Sequence, residues 1–146
     1  MSANDATGGS SRVKYLIVAV VFPVVLAADL YTKHLAAEHL RPMLSNPVPE
    51  QRYVTVIDGF FRLKYTENPG AAWGLLRWLD DGVRTPLFVV VALAAIVFLL
   101  WFLWHSPPEK RLLPVALGFI LAGAAGNLVD RLAGGTVVDF VDWYLT

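Results

Sequence analysis

Three long apolar runs alternate with polar segments along the chain and predict three membrane-spanning helices. The runs cover residues 15–32, 86–104 and 112–129, and the second and third contain no charged residue. Each is close to the ~20 residues that an α-helix needs to cross the ~30 Å hydrocarbon core of a bilayer. The pattern therefore predicts a mainly α, polytopic membrane protein.

The first run has an alternative reading as a cleaved signal peptide. Arg12 and Lys14 precede an apolar core that ends in small residues at positions 26–28, and this order is typical of secretory signals. We favour a retained span, because two further spans follow it and because Asp29 and Lys33 stand together at its outer end.

The charges around these spans predict the domain organisation and the orientation. Residues 1–11 are small and polar, as in a disordered tail, which leaves residues 12–146 as a single membrane domain. Arg12 and Lys14 precede the first span, and Lys110 and Arg111 lie in the loop at 105–111. Cytoplasmic loops are enriched in Lys and Arg. We therefore expect the N-terminus inside and residues 33–85 outside.

The outer segment contains a β-hairpin signal. Residues 53–57 are mostly β-branched and alternate, residues 60–65 are also strand-like, and Asp58-Gly59 separates the two runs. An Asp-Gly pair between two such runs is typical of a tight hairpin. The sequence predicts a small sheet on the outer membrane face, followed by a turn at Asn68–Gly74. Trp73 and Trp78 suit the membrane–water interface.

The composition argues against several kinds of partner and catalytic group. The chain is 56% hydrophobic with a formal net charge of zero and has no basic stripe, so nucleic acid is not an expected partner. It has no Cys, and hence no thiol nucleophile. No H-E-x-x-H motif is present, and His34 with Glu38 fits a solvated helical turn better than a metal site. We expect neither metal nor cofactor.

Catalysis by carboxylate groups is the chemistry that these exclusions leave open. Two aspartates held close together share one proton, so that one can act as a base on water while the other polarises a carbonyl group. The candidates are Asp29, Asp130, Asp139 and Asp142.

Two of these candidates, Asp130 and Asp139, have different neighbours in the sequence. Asn127 and Asp130 lie three residues apart at the end of the third span, followed by Arg131. A salt-bridged helix end is the favoured reading of Asp130. Asp139 follows Gly134-Gly135 and a β-branched run, which predicts a short strand presenting the acid. Asp139 is therefore the better catalytic candidate.

Four motifs together resemble one family. Taken in chain order, Asp29–Lys33, Asn68–Gly74, Gly126–Arg131 and Val137–Phe140 resemble those of lipoprotein signal peptidase, the bacterial signal peptidase II. The resemblance implies a four-span aspartic peptidase of the inner membrane with a periplasmic β-cradle and a short periplasmic helix. The implied substrate is a diacylglyceryl-modified prolipoprotein, cut just N-terminal to the lipidated Cys.

The resemblance also implies roles for individual residues. Asp139 falls on a catalytic aspartate. The residues implied to support the site or to contact the substrate are Asp29, Lys33, Asn68, Gly70, Asn127, Asp130 and Arg131. The implied partners are prolipoproteins and membrane lipid, and we expect a monomer.

The chain departs from the family in one respect. The family's second catalytic aspartate belongs to a downstream F-N-x-A-D motif leading into a fourth span, and neither occurs within residues 1–146. We expect the chain to be incomplete at its C-terminus.

Two other functions remain open. The first is a non-catalytic remnant that binds lipoprotein precursors. The second is a proton-coupled membrane carrier that uses Asp29, Asp130 and Arg131 as a relay. The carrier is less favoured, because these residues lie at span ends and the chain has no internal repeat.

Overall fold

The computed structural model describes residues 3–70, 76 and 78–145, with side chains from Arg12 onward. The described part is mainly α-helical, as predicted. The helices are α1 (Ala3–His39), α2 (Asp81–His105) and α3 (Leu112–Gly134), and two short 3-10 helices cover Arg41–Ser45 and Pro49–Gln51. The strands are β1 (Val54–Ile57), β2 (Phe61–Asn68) and β3 (Val137–Trp143).

Three segments of the described chain are long and apolar enough to cross a membrane. They are Arg12–Ser45, Asp81–His105 and Leu112–Gly134, and each contains one of the predicted spans. Within the sequence that the structure describes, the protein is therefore a multi-pass membrane protein with three such helices.

Helix α1 begins at Ala3, within residues 1–11, for which the composition predicts a disordered tail. Starting a helix is costly, whereas adding a residue to an existing helix costs little. The long apolar helix that follows can therefore extend backward through this polar segment.

The chain divides into two compact units. A helical unit comprises Met1–Asp29 and Val89–Val129, and a sheet unit comprises Leu30–Phe88 and Asp130–Thr146.

The helical unit is held by an apolar core. Val18, Leu103, Leu117 and Leu121 are buried together. Gly118 allows α3 to approach α1 closely, because a Cβ atom at this position would lie 2.8 Å from the Val21 side chain. Small residues on one helix face permit such packing, as the Gly118, Ala122 and Gly126 spacing indicates.

A buried lysine joins α1 to α2 in the same unit. Lys14 is only 5% exposed, although its charge had indicated the cytoplasmic membrane surface. Its ammonium group donates hydrogen bonds to the backbone carbonyls of Leu103, Trp104 and Ser106 at 2.8, 2.9 and 2.9 Å. The last carbonyls of a helix lack partners within the helix. Lys14 therefore caps the C-terminal end of α2.

The sheet unit contains a three-stranded antiparallel sheet in the order β1-β2-β3. Strands β1 and β2 confirm the predicted hairpin, and Gly59 in the connection has φ 71°, a conformation that glycine adopts easily. Strand β3 confirms the predicted strand before Asp139 and continues beyond it. Its pairing with β2 was not predicted. The turn expected at Asn68–Gly74 lies largely outside the described residues.

Helix α1 covers one face of this sheet. Ala36 and Leu40 of α1 form a buried cluster with Tyr65 of β2, and Val138 and Phe140 of β3 pack against it. Since side chains alternate between the two faces of a strand, Asp139 lies on the opposite face.

Candidate active site

Asp139 lies in the middle of β3, on the face of the sheet that α1 leaves open. Its side chain is exposed, while its neighbours Val138 and Phe140 are partly buried. Thr66 of β2 is its direct cross-strand partner, and Asn68 pairs with Val137 one step along the same face. The sheet thus places Thr66, Asn68 and Asp139 beside one another.

A β-bulge lies next to Asp139. Leu63 pairs with Val141 and Thr66 pairs with Asp139, so two residues of β2 oppose the single residue Phe140 of β3. Bulges bend a strand and change the direction of nearby side chains, and they are over-represented next to active sites.

The carboxylate of Asp139 has one hydrogen bond within the described structure. The backbone N–H of Val141 donates to its Oδ1 atom over 3.2 Å. This contact comes from the same strand and leaves the group accessible. An exposed carboxylate that is fixed on a rigid strand can accept a proton from a nearby water molecule.

Asp130 has a different environment. Its Oδ2 atom lies 2.9 Å from the Nζ atom of Lys33, and the two side chains are 12% and 9% exposed. The same oxygen accepts a hydrogen bond from the backbone N–H of Val138 over 3.2 Å. Asp130 therefore ties the end of α3 to α1 and to the residue that precedes Asp139. This supports the structural reading of Asp130.

The carboxylate of Asp142 also has a cationic partner. Its Oδ2 atom accepts a hydrogen bond of 2.6 Å from Arg62. The Arg62 guanidinium lies 4.4 and 4.5 Å from the ring centroids of Tyr53 and Tyr144. The hydrogen bond to Asp142 raises the pKa of Arg62. The structure thus gives Asp142 a cationic partner.

Three of the predicted supporting residues form one network. The side chain of Asn68 accepts a hydrogen bond from the backbone N–H of Gly70 over 3.0 Å, and Arg131 donates to the Gly70 carbonyl over 3.3 Å. The Arg131 guanidinium also lies 4.8 Å from the Phe88 ring centroid. Arg131 thereby links Gly70, just after β2, to the end of α3.

The remaining two predicted residues belong to the helical unit. Asp29 lies on α1 and Asn127 on α3, and both side chains are partly buried.

Sequence reasoning missed a polar cluster on the covered face of the sheet. Tyr65 is 4% exposed, and its hydroxyl donates to Glu67 over 3.1 Å. Glu67 also pairs with Arg41 over 3.4 Å. Burial, and next the hydrogen bond to Glu67, raise the pKa of Tyr65. The strand alternation could have indicated Tyr65, but nothing in the irregular segment around Arg41 indicated its partner.

No candidate metal centre occurs in the part of the chain that the structure describes. There, no three His, Cys, Asp or Glu side chains are arranged to hold an ion. His34 and Glu38 are 3.8 Å apart and 72% and 62% exposed, as expected for a solvated helical turn.

Comparisons with known proteins agree with the resemblance. A family model described as Peptidase_A8, signal peptidase (SPase) II, matches residues 21–146. The lipoprotein signal peptidase of Anaeromyxobacter sp. (strain Fw109-5) is 36% identical over 90% of this chain and 71% of its own length. That of Caldanaerobacter subterraneus subsp. tengcongensis is 41% identical over 87% of this chain and 77% of its own length.

Solved structures are similar as well. A bacterial membrane enzyme solved by the in meso method at 2.3 Å superposes with a TM-score of 0.69 and 26% identity, covering 86% of this chain and 69% of that one. A second, solved at 1.9 Å, gives a TM-score of 0.67 at the same identity, covering 86% and 73%. With the family model matched over residues 21–146 and these relatives matched over most of the chain, the chain belongs to the signal peptidase II family.

Proposed function

We propose that this protein removes signal peptides from diacylglyceryl-modified prolipoproteins by cutting the bond N-terminal to the lipidated Cys. Its relatives are lipoprotein signal peptidases by name, and the four motifs carry the resemblance along the chain. The observation that supports a catalytic role most directly is the contrast among three acids. Asp139 is exposed on a strand that pairs with β2, whereas Asp130 and Asp142 are bound to Lys33 and Arg62.

In the proposed mechanism Asp139 is one member of an aspartic dyad. The other is the aspartate of the F-N-x-A-D motif that the resemblance implies, a motif not found among residues 1–146. The ionised aspartate takes a proton from water while the protonated one polarises the scissile carbonyl. The hydroxide equivalent adds to the carbonyl carbon. When the tetrahedral intermediate collapses, the amine of the Cys leaves with a proton.

The neighbouring residues serve this chemistry by holding the strand. Asp130 binds Lys33 and the Val138 N–H, which fixes the backbone one residue before Asp139. Arg131 and Asn68 hold the loop around Gly70, where a substrate peptide would pass. A misplacement of about 1 Å in a reacting group can cost ~10²-fold in rate.

We also propose an orientation in the bacterial inner membrane, with the N-terminus in the cytoplasm and the active site on the periplasmic side. The basic residues at positions 12, 14, 110 and 111 support it. Residues 33–85 then form the periplasmic insert of a single membrane domain.

The test compares two substrates with the membrane-embedded protein expressed from its own gene. One is a prolipoprotein that carries the diacylglyceryl group, and the other is the same precursor without it. We expect cleavage of the lipidated form only, with the modified Cys as the new N-terminal residue. Stable binding of the precursor without turnover would contradict the proposal and favour a binding remnant. Proton flux without cleavage would favour a carrier.

A further inference from the structure

Thr66 is the residue that the sheet places directly opposite Asp139. The two are cross-strand partners in the antiparallel pairing of β2 with β3, and both side chains are exposed on the same face. Directly opposed residues have Cβ atoms about 4.5–5.5 Å apart. A threonine hydroxyl can therefore reach a carboxylate oxygen across the strands.

The bulge creates this pairing. Before the bulge, Phe61, Arg62 and Leu63 pair with Trp143, Asp142 and Val141. If this register continued without interruption, Tyr65 would oppose Asp139 and Thr66 would oppose Val138. The extra residue shifts the register by one, so that Tyr65 enters the buried cluster with Ala36 and Thr66 stands beside the acid.

The carboxylate of Asp139 has an oxygen available for a second donor. The Val141 N–H donates to Oδ1, and no residue in the described ranges donates to Oδ2. A threonine hydroxyl has one O–H donor that rotates to suit its surroundings, so a side-chain rotation at Thr66 can supply the missing hydrogen bond.

We propose that Thr66 is a positioning residue of the peptidase, whose hydroxyl donates to Oδ2 of Asp139 and keeps this carboxylate in the ionised form that accepts the proton from water. A hydrogen bond to the charged form of an acid favours that form. Two close aspartates share one proton, so a donor beside one of them decides which is the base. The inference rests on the proposed function.

Other charged groups lie on β3 and on the elements next to it. They are Lys64 and Glu67 of β2, the Lys33–Asp130 pair of α1 and α3, Arg131 of α3, and Asp142 of β3 with its partner Arg62. A substitution at Thr66 changes none of these charges. A shift in the pH dependence of cleavage on removal of the hydroxyl would therefore report on the hydroxyl itself.

The experiment compares Thr66→Val, which removes the hydroxyl at nearly constant volume, with Thr66→Ser, which keeps it. Thr55→Val is the matched control, because Thr55 is an exposed threonine of β1 paired with Arg62 rather than with an acid. The pH profiles of kcat and kcat/KM are measured with the lipidated prolipoprotein and the membrane-embedded protein.

We expect Thr66→Val to move the acid limb of the kcat profile upward by about one pH unit. We also expect kcat at neutral pH to fall by about tenfold, with KM unchanged. The upward direction follows because the variant lacks a donor that favours the charged form of the acid, and a protonated carboxyl cannot act as the base. Thr66→Ser and Thr55→Val should resemble the unmodified protein.

An unchanged profile for Thr66→Val overturns the inference, and so does a rise in KM alone, which would mean that Thr66 contacts the substrate instead. Thr66→Ala gives a second reading if the valine variant does not fold. The Asp139→Asn variant distinguishes a failure of the inference about Thr66 from a failure of the proposed function. If Asp139→Asn is inactive while Thr66→Val is normal, only the role of Thr66 is lost; if Asp139→Asn still cleaves, both proposals fail.

Discussion

At the scale of single residues, the three acids on and beside β3 differ in whether a cationic side chain binds them. Asp130 is largely buried against Lys33, Asp142 is bound to Arg62, and Asp139 is exposed. The sequence indicated that Asp130 is structural and Asp139 presented on a strand, because the first ends a helix and the second follows a β-branched run. It did not indicate that Lys33 pairs with Asp130. That pairing depends on α1 and α3 meeting in space, which local patterns do not encode.

The buried pair gives a direct prediction. Lys33→Met should lower the unfolding free energy by about 3 kcal/mol, because it leaves Asp130 in a largely buried position without this cation. The same variant should reduce the rate of signal-peptide cleavage, since Asp130 also holds Val138. Thermal unfolding in detergent and a cleavage assay measure the two effects.

His34→Gln is the matched control for Lys33→Met. His34 is the next residue of α1, and its contact with Glu38 is long and exposed. Exposed pairs contribute little to stability, so this variant should behave like the unmodified protein. A Lys33→Met protein that unfolds at the same temperature as His34→Gln would contradict the assigned role of the pair.

At the scale of elements, the spans, the hairpin and a small sheet were predictable, and the place of the third strand in that sheet was not. Apolar runs of suitable length gave the positions of α1, α2 and α3, and Asp58-Gly59 gave the hairpin. The pairing of β3 with β2 and the bulge opposite Phe140 were not predictable. They depend on contacts between segments far apart in the chain, and on the burial of Tyr65 against α1.

Helix α3 allows a prediction about close packing. Gly118→Ala should lower the unfolding free energy by about 1–3 kcal/mol, because the new methyl group would overlap the Val21 side chain. Gly123→Ala in the same helix is the control, since its Cβ would meet nothing within 4 Å. That variant should be neutral or slightly stabilising, because Ala favours the helix over Gly. Equal unfolding temperatures for the two variants would contradict this helix contact.

The cap on α2 gives another prediction. Lys14→Met should lower the unfolding free energy by about 2–4 kcal/mol, since three carbonyl groups at the end of α2 would lose a charged donor. Arg12→Met is the control, because Arg12 lies two residues earlier on α1 and is exposed. Thermal unfolding compares the two. A loss of stability that is the same for both would mean that the positive charge matters and the cap does not.

At the scale of the whole molecule, the helices connect the two units. Helices α1, α2 and α3 each contribute residues to the helical unit and to the sheet unit. The membrane segments therefore continue directly into the part that carries Asp139. The chain spans 71% and 76% of the lengths of two relatives that it resembles over 90% of its own length. Membership of the family could be predicted from the sequence, because four motifs occur in the family's order along the chain.

The central claim is that Asp139 performs the chemistry while the other acid of the same strand does not. It is tested by the single-turnover rate of lipidated prolipoprotein cleavage, measured for Asp139→Asn and Asp142→Asn in the membrane-embedded protein expressed from its own gene. Loss of a general base lowers rates by roughly 10²–10⁴-fold. We predict a loss on the order of 10³-fold for Asp139→Asn, with cleavage by folded Asp142→Asn close to normal. Near-normal cleavage by Asp139→Asn, or an equal loss in a folded Asp142→Asn protein, would contradict the claim.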